Sequence, residues 1–337
     1  MSAKQNLTID DIAKELGVSK TTISRAISGK GRIGADTRTR ILNYIEQCNY
    51  RPSSAAKGLA ESRTYNLALV LPKSFIKLDL PHVRQNMSAI CEEAFLQDYN
   101  VLVCLSTATN PDSLVRTLDN RKVDGVILTR TAENDSLVKM MTQRNIPFAT
   151  LGSLPQEERG RAVVEADHDQ IGGCYTFTRS ILYGSEGKIA LLGNDMNYIV
   201  NQSRMTGINR AVQELGISPD RIIVRTGLNT PSDCTAATDE MLRLGVKHIL
   251  TLDDGVCLSV LKRLKERFIR IPEQVRVACL YDNQLLEQYE PPISALQFDA
   301  AALGQVACRE LLRCLRGESF EAAPILGYRI CLRESTR

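Results

Sequence analysis

Residues 8–28 read TIDDIAKELGVSKTTISRAIS, and the way this stretch folds separates the start of the chain from everything after it. Ile9, Ile12, Ala13 and Leu16 recur at the spacing of one helix face. Thr8 stands at the N-cap, and Asp11 three residues on completes a capping box with Asp in place of the usual Glu. Gly17 suits the left-handed conformation that ends a helix, Val18 offers an apolar anchor for a tight turn, and Ser19 can cap a second helix. That helix, from Lys20 to Ile27, turns Ile23, Ala26 and Ile27 inward and leaves Lys20, Thr21, Thr22, Ser24, Arg25 and Ser28 outward. A third helix from Asp36 to about Cys48 is expected to close a small core with Ile41, Leu42 and Ile45. The outer face of the second helix is short, rich in hydroxyls and basic. It suits the major groove of DNA, where hydroxyls and a helix N-terminus hold phosphates while Lys20, Thr21 and Arg25 reach base edges. On helix pattern alone, a plain three-helix subdomain with a solvated face is also open.

The next segment bears on that choice. After Tyr50-Arg51-Pro52 comes SSAAKGLAESR, too short for a stable isolated helix and weakened by Gly58, which costs about 1 kcal/mol relative to Ala. Leu59 has no core in reach and Lys57 lies close by, as an apolar wedge in a minor groove with a neighbouring cation would require. Folding on DNA would supply the missing stability. A flexible linker whose Leu59 packs on the following domain is the other reading.

With 337 residues, 43% apolar and 24% charged, the chain has the composition of a globular protein of two or three compact units. No apolar run approaches the ~18 to 20 residues of a membrane span, and MSAKQNLTIDD holds no apolar signal core, so a cytoplasmic location is expected. The ten cysteines show no C-x-x-C pair and no zinc-like spacing. They read as small buried hydrophobes, and neither metal nor cofactor is expected. The net charge of +3 is unevenly spread. Residues 1–65 carry eleven Lys/Arg against six Asp/Glu, and the rest 31 against 33, which concentrates a phosphate-attracting field at one end.

From Asn66 onward short apolar runs alternate with amphipathic segments, the pattern of repeated βαβ units on a parallel sheet. Strands are expected at 66–71, 101–105, 125–128, 147–151, 188–192, 222–225, 248–252 and 275–280. Helices are expected at 83–97, 112–121, 134–144, 204–215, 232–244 and 255–267. The polar stretch 153–161 interrupts this rhythm and divides the region into two lobes. Strand-like segments at 293–296 and 328–332 would return the chain between them.

Thr8-Ile9-x-Asp11-Ile12-Ala13, Gly17-Val18-Ser19, Ser24-Arg25, Thr37-Arg38, Tyr50-x-Pro52, Leu59-Ala60 and the late Arg333-x-Ser335-Thr336 resemble the LacI/GalR family of bacterial repressors over nearly the whole chain. The resemblance implies an α/β fold: a two-lobed, doubly wound, periplasmic-binding-protein-like core preceded by a small all-α helix-turn-helix head. The expected divisions are a head at 1–50, a hinge helix at 51–63 and a core at 64–337. The first lobe would take about 64–166 with 297–325, and the second about 167–296 with 326–337. A homodimer is implied, on pseudopalindromic double-stranded operator DNA and under the control of a small sugar-like effector. The chain stops shortly after 328–332 without the family's tetramerisation helix, which favours a dimer over a tetramer. By position, Ser19, Thr22, Ser24, Ser28 and Arg32 would touch the DNA backbone, and Thr8 at the start of the head would be a further DNA-binding residue. Lys20, Thr21 and Arg25 would read bases, and Lys57, Leu59 and Ala60 would serve the hinge.

In open α/β sheets ligands bind beyond the carboxyl ends of strands. Those ends offer His82, Ser106, Thr129, Asp253-Asp254 and Tyr281-Asp282. Arg204, at the start of an expected helix, matches the family arginine that grips an effector hydroxyl or carboxylate, a task suited to a planar guanidinium. Polar residues at strand ends also serve as plain caps, and that reading stands beside the functional one. The chain departs from the family pattern at Asp253-Asp254, at Tyr281, and at Asn229, where a stacking aromatic is common. Tyr198 or Tyr281 would then supply the missing platform. Leu78-Asp79-Leu80-Pro81-His82 replaces the family's Asn-Pro-Phe-Phe, so the identity of the ligand does not carry over.

Two other functions compete. An enzyme is opposed by the lack of a G-x-G-x-x-G after the first strand, a Walker loop or a G-x-S-x-G, and by three histidines, His82, His168 and His248, set far apart. A solute-binding protein serving a transporter is opposed by the basic head and the lack of a signal peptide.

Overall fold

The computed structural model describes residues 8–28, 31–48, 58, 61–72, 81–107, 109–155, 163–318 and 322–337. The chain divides into two compact units, Met1–Thr64 and Tyr65–Arg337.

The first unit holds α1 (Ile9–Leu16), α2 (Lys20–Ser28) and α3 (Ala35–Gln47). The capping box forms: Asp11 N donates to Thr8 Oγ1 at 3.3 Å, and Thr8 N donates to Asp11 Oδ2 at 2.9 Å. Gly17 takes φ 63°, left-handed backbone that stops α1, and Ser19 Oγ accepts from Thr22 N at 3.1 Å to start α2. Ile12, Ile23 and Ile41 are fully buried, each contributing about 1.5–3 kcal/mol, with Ala13 and Ala26 filling between them. The expectation for Leu42 is corrected, since it is 40% exposed. One residue past Ile41 it points ~100° around the helix; Ile45 packs inward as expected, and Tyr44 takes the place expected of Leu42.

The second unit contains two sheets. The first, in the order β2-β1-β3-β4-β5, is parallel throughout: β1 (Asn66–Leu71), β2 (Asn100–Leu105), β3 (Gly125–Leu128), β4 (Phe148–Leu151) and β5 (Val163–Ala166). The second has the order β11-β10-β9-β8-β6-β7. It comprises β6 (Lys188–Leu192), β7 (Ile222–Arg225), β8 (Val246–Thr251), β9 (Arg276–Cys279), β10 (Ser294–Phe298) and β11 (Tyr328–Cys331). Only the β10–β11 pair is antiparallel. Helices α4 (Pro81–Leu96), α5 (Asp112–Asp119), α6 (Ser136–Gln143), α7 (Gln170–Leu182) and α8 (Ile199–Glu214) follow in chain order. They are succeeded by α9 (Pro231–Arg243), α10 (Asp254–Glu266), α11 (Gln284–Glu287) and α12 (Ala300–Leu315). Strand β5 and helices α7 and α12 lie outside the segments read from the sequence. Arg204 sits within α8 rather than at its start, because the helix begins five residues earlier, at Ile199.

The chain passes between the lobes three times. Helix α12 packs on α4 and on β3, β4 and β5 of the first lobe, although β10 before it and β11 after it belong to the second sheet. Two passages run side by side, where Leu326 N donates to Asp167 O at 2.8 Å and Asp169 N to Leu326 O at 2.9 Å. On the second lobe α7 and α8 meet closely, and a Cβ at Gly207 would stand 2.4 Å from the Ile171 carbonyl oxygen. This approach requires glycine, and it brings Arg204, one turn before Gly207, against the start of α7.

Candidate functional site

In the head, α2 turns its polar face outward as its spacing demands: Lys20, Thr21, Ser24 and Arg25 are exposed, as is Arg32 beyond it. Ser19 Oγ and Thr22 Oγ1 lie 2.8 Å apart at the helix start. Lys20 Nζ lies 2.5 Å from Asp10 Oδ1, but both side chains are about half exposed. Such a pair contributes about 0–1 kcal/mol and is readily exchanged for a phosphate or a base edge. Thr8 is engaged in the capping box, whose hydrogen bonds hold the Asp11 carboxyl below the usual range. The Ser28 side chain and, in the 51–63 hinge, residues 51–57, Leu59 and Ala60 lie outside the described residues, Lys57 among them, as does the 78–80 loop.

In the core, a cavity of about 200 Å³ opens between the lobes at the carboxyl ends of both sheets. His82 and Asn86 reach it from α4, one helical turn apart, and Thr129 and Arg130 from the loop after β3. Across from them stand Arg204 on α8, Asp253 and Asp254 after β8, and Tyr281 after β9. Arg204 is 5% exposed, and donates from Nε to Gln170 Oε1 at 3.1 Å and from Nη1 to Leu252 O at 2.5 Å. Its guanidinium carbon lies 5.4 Å from the Tyr281 ring centroid. A row of rings runs from the first lobe into the second, with His82 4.7 Å from Tyr281, Tyr281 5.9 Å from Phe298 and Phe298 4.9 Å from His168.

The two adjacent acids are shifted in opposite directions. Asp253 caps α10, with Oδ1 accepting from Val256 N at 2.9 Å, and burial pushes its carboxyl above the ordinary range. Burial works the same way on Asp254, but hydrogen bonds from His82 and Asn283 outweigh it and hold this carboxyl low. His82 Nδ1 lies 3.4 Å from Asp254 Oδ2, and Asn283 Nδ2 donates to the same oxygen at 2.8 Å. Asp253 Oδ2, Asp254 Oδ1 and Asn86 Oδ1 are buried acceptors with no hydrogen-bond partner. Buried acceptors are costly to leave unmet, so these three mark where a ligand's donors would be held.

The cavity therefore gathers six of the expected residues, His82, Thr129, Arg204, Asn229, Asp253 and Tyr281. Three others have different work. Ser106 is buried, and its Oγ accepts from Leu114 N at 3.0 Å, so it caps α5. Asp282 is bound by both terminal nitrogens of Arg333, at 2.8 and 2.6 Å. Tyr198 precedes α8, and its ring carries the Arg130 guanidinium 3.9 Å from its centroid. It supports a lining residue instead of lining the cavity. Sequence reasoning missed Arg130, Asn86 and Gln170. The helical spacing from His82 to Asn86 was available as a signal, whereas Arg130 and Gln170 become visible only with the lobes assembled. Among the described residues no His/Cys/Asp/Glu cluster could hold a metal, and no helix is long and apolar enough to cross a membrane.

Residues 8–53 match the family described as bacterial regulatory proteins, lacI family, and residues 187–336 match a periplasmic binding protein-like domain. The chain is similar to the HTH-type transcriptional regulator CelR of Thermobifida fusca, with 26% identity over 99% of this chain and 100% of that protein. It is 24% identical to the HTH-type transcriptional repressor PurR of Vibrio atlanticus (strain LGP32), over 93% of each chain. It superposes on a lac repressor dimer bound to operator and the anti-inducer ONPF with a TM-score of 0.79 at 21% identity, covering 98% of this chain and 99% of that one. What is shared with that structure is the fold.

Proposed function

The chain belongs to the lacI family of bacterial regulatory proteins, and from that premise we propose that it is a sequence-specific repressor that releases its operator when a small molecule occupies the inter-lobe cavity. The observation that carries this reading is the cavity itself: its polar groups come from both lobes, and three buried acceptors in it lack partners. A capped helix-turn-helix with an outward basic face on the same chain supplies the output.

On this reading Lys20, Thr21 and Arg25 read base edges in the major groove, while Ser19, Thr22, Ser24, Ser28 and Arg32 hold phosphates. Thr8 fixes the start of the head. Lys57, Leu59 and Ala60 act in the hinge, Leu59 entering the minor groove of a pseudopalindrome. The active species is a homodimer. Strands β2 and β7 lie at sheet edges with Val103 and Val224 about half exposed, and Phe95 and Leu96 at the end of α4 are largely exposed. Such edges and apolar side chains favour pairing with another chain. The ligand changes the angle between the lobes, the paired hinges separate and operator affinity falls. Relatives are regulators rather than enzymes, and the proposed role of the cavity is likewise recognition without chemistry.

In vitro selection from random duplex DNA with the full-length protein tests the output, and an enriched pseudopalindrome with a central step for Leu59 to open is expected. No enrichment at low salt from folded, dimeric protein, with or without candidate ligands, would refute it. Ligand and operator must weaken each other's binding by the same factor. Equal ligand affinity with and without operator would sink the regulatory link.

A further inference from the structure

Two guanidiniums line the cavity, Arg130 from the first lobe and Arg204 from the second. Arg204 is 95% buried, yet the acceptors it holds, Gln170 Oε1 and the Leu252 carbonyl, are both uncharged. Among the described residues no carboxylate lies within ion-pair distance of it. Its charge is met by carboxylates only at longer range, from Asp253 and Asp254, and a second cation, Arg130, lines the same cavity, an arrangement that suits an anionic ligand group within reach of both guanidiniums. Asp253 Oδ2, Asp254 Oδ1 and Asn86 Oδ1, all lacking partners, ask for hydrogen-bond donors, and the Asp254 side chain is 1% exposed. One molecule satisfies both demands if it carries several hydroxyls and one negative group.

Taking the cavity as the effector site, we propose that it holds a small polyhydroxylated anion of monosaccharide size, its negative group between Arg130 and Arg204 and its hydroxyls on Asp253, Asp254 and Asn86. A planar carboxylate accepts two parallel hydrogen bonds from a guanidinium, and a phosphate ester would present the same chemistry.

Isothermal titration calorimetry on the full-length protein distinguishes the possibilities. The probes are hexonates and hexuronates of gluco, galacto and manno configuration, the hexose 6-phosphates, and the neutral aldoses and alditols of the same configurations. One of the acids is expected to bind at least roughly tenfold more tightly than its neutral counterpart, the ratio that one charge-assisted contact supports. Arg130→Gln should bring that ratio to about one, and Arg130→Lys, which retains the charge, should keep a preference even if the glutamine variant fails to fold. A 6-phosphate bound in preference to the acids, with the same dependence on Arg130, would support the proposal and identify the anion as phosphate. Equal affinity for acid and neutral partner, or no binding by any probe, would overturn it. Gel shifts with the same probes address the regulatory reading separately: an acid that binds without changing operator affinity leaves the ligand class standing and refutes the regulation.

Discussion

Replacing Asp282 by alanine should loosen the second lobe and leave the cavity's affinity nearly intact, although the sequence places this residue beside the ligand. Arg333 donates from Nη1 to Asp282 Oδ1 at 2.8 Å and from Nη2 to Oδ2 at 2.6 Å, and Nη1 also reaches the Ile293 carbonyl at 2.7 Å. The two side chains are 3% and 15% exposed. The pair fastens the C-terminal segment onto β10, where Ser335 adds hydrogen bonds to Ser294 N and Val277 O. An intact buried pair is nearly neutral against a well-packed apolar pair, but removing one partner strands the other charge at a cost of about 3–5 kcal/mol. The residual exposure of Arg333 argues for the lower end, about 3 kcal/mol. In a unit of this size each kcal/mol moves the melting temperature by roughly 2–4 °C, so a fall of about 6–12 °C is expected. Differential scanning calorimetry reads the melt, and titration with a bound probe reads the affinity. Asp282→Leu combined with Arg333→Met should recover most of the loss, since the stranded charge is gone. If Asp282→Ala melts within about 1 °C of the parent yet binds its ligand tenfold more weakly, the assignment is wrong and Asp282 is a contact after all.

Three further outcomes are expected. Arg25→Ala should cost about 1–3 kcal/mol in operator binding and relax base preference at its position, as read by fluorescence anisotropy across operator variants; uniform weakening on all sequences would make Arg25 a phosphate contact. Gly207→Ala forces a methyl to within 2.4 Å of the Ile171 carbonyl, so overpacking should lower stability by about 1–3 kcal/mol in urea titration, and an unchanged midpoint would mean that α7 and α8 part without cost. Burial holds the imidazoles of His168 and His248 below the ordinary 6.5. Their folded values are therefore depressed, and the stability of the neutral forms is present above about pH 6.5 and lost as pH falls through the folded values. The melting temperature should drop from pH 7 to pH 5, and a drop of the same size in a His168→Gln, His248→Gln variant would assign the effect to other groups.

Where local chemistry dictates the backbone, the sequence was sufficient. Thr8, Asp11, Gly17 and Ser19 determine the start, stop and restart of the first two helices by contacts spanning four residues or fewer. Most strands of the core were equally legible because parallel strands buried on both faces read as apolar runs. Strand β5 was not, since four residues, VVEA, after a polar stretch carry too little pattern. The strand-end rule selects Thr129, Asp253 and Tyr281, which line the cavity, and also Ser106 and Asp282, which do not. A polar side chain at a strand end can turn into the cleft, cap the next helix or pair with a distant arginine, and the partner that decides among these lies elsewhere in sequence. Ser106 is eight residues from the amide it caps, and Asp282 is fifty-one from Arg333. Arg130 escaped notice for the related reason that its support, Tyr198, stands on the other lobe.

That support also bears on how a ligand could act. Around the cavity mouth the lobes are joined by two backbone hydrogen bonds, Glu133 N to Asn197 O at 2.9 Å and Ile199 N to Thr131 O at 3.2 Å. Arg130 over Tyr198 and His82 beside Asp254 add to them. Contacts of this kind can be reinforced or replaced by a single small molecule. Moving a two-state equilibrium from 1:99 to 99:1 takes about 5.5 kcal/mol of differential binding, the equivalent of two or three charge-assisted hydrogen bonds made in one lobe arrangement and absent from the other. A ligand held only by Arg204, Asp253 and Asp254 would make all its contacts on the second lobe, and however tightly it bound it would shift nothing. An anion spanning Arg130 and Arg204 gains its extra contacts only when the lobes are in register. The power to regulate thus depends on which lobes a ligand touches more than on how strongly it binds, and Arg130, with Asn86, supplies the first-lobe contacts on which that distinction turns.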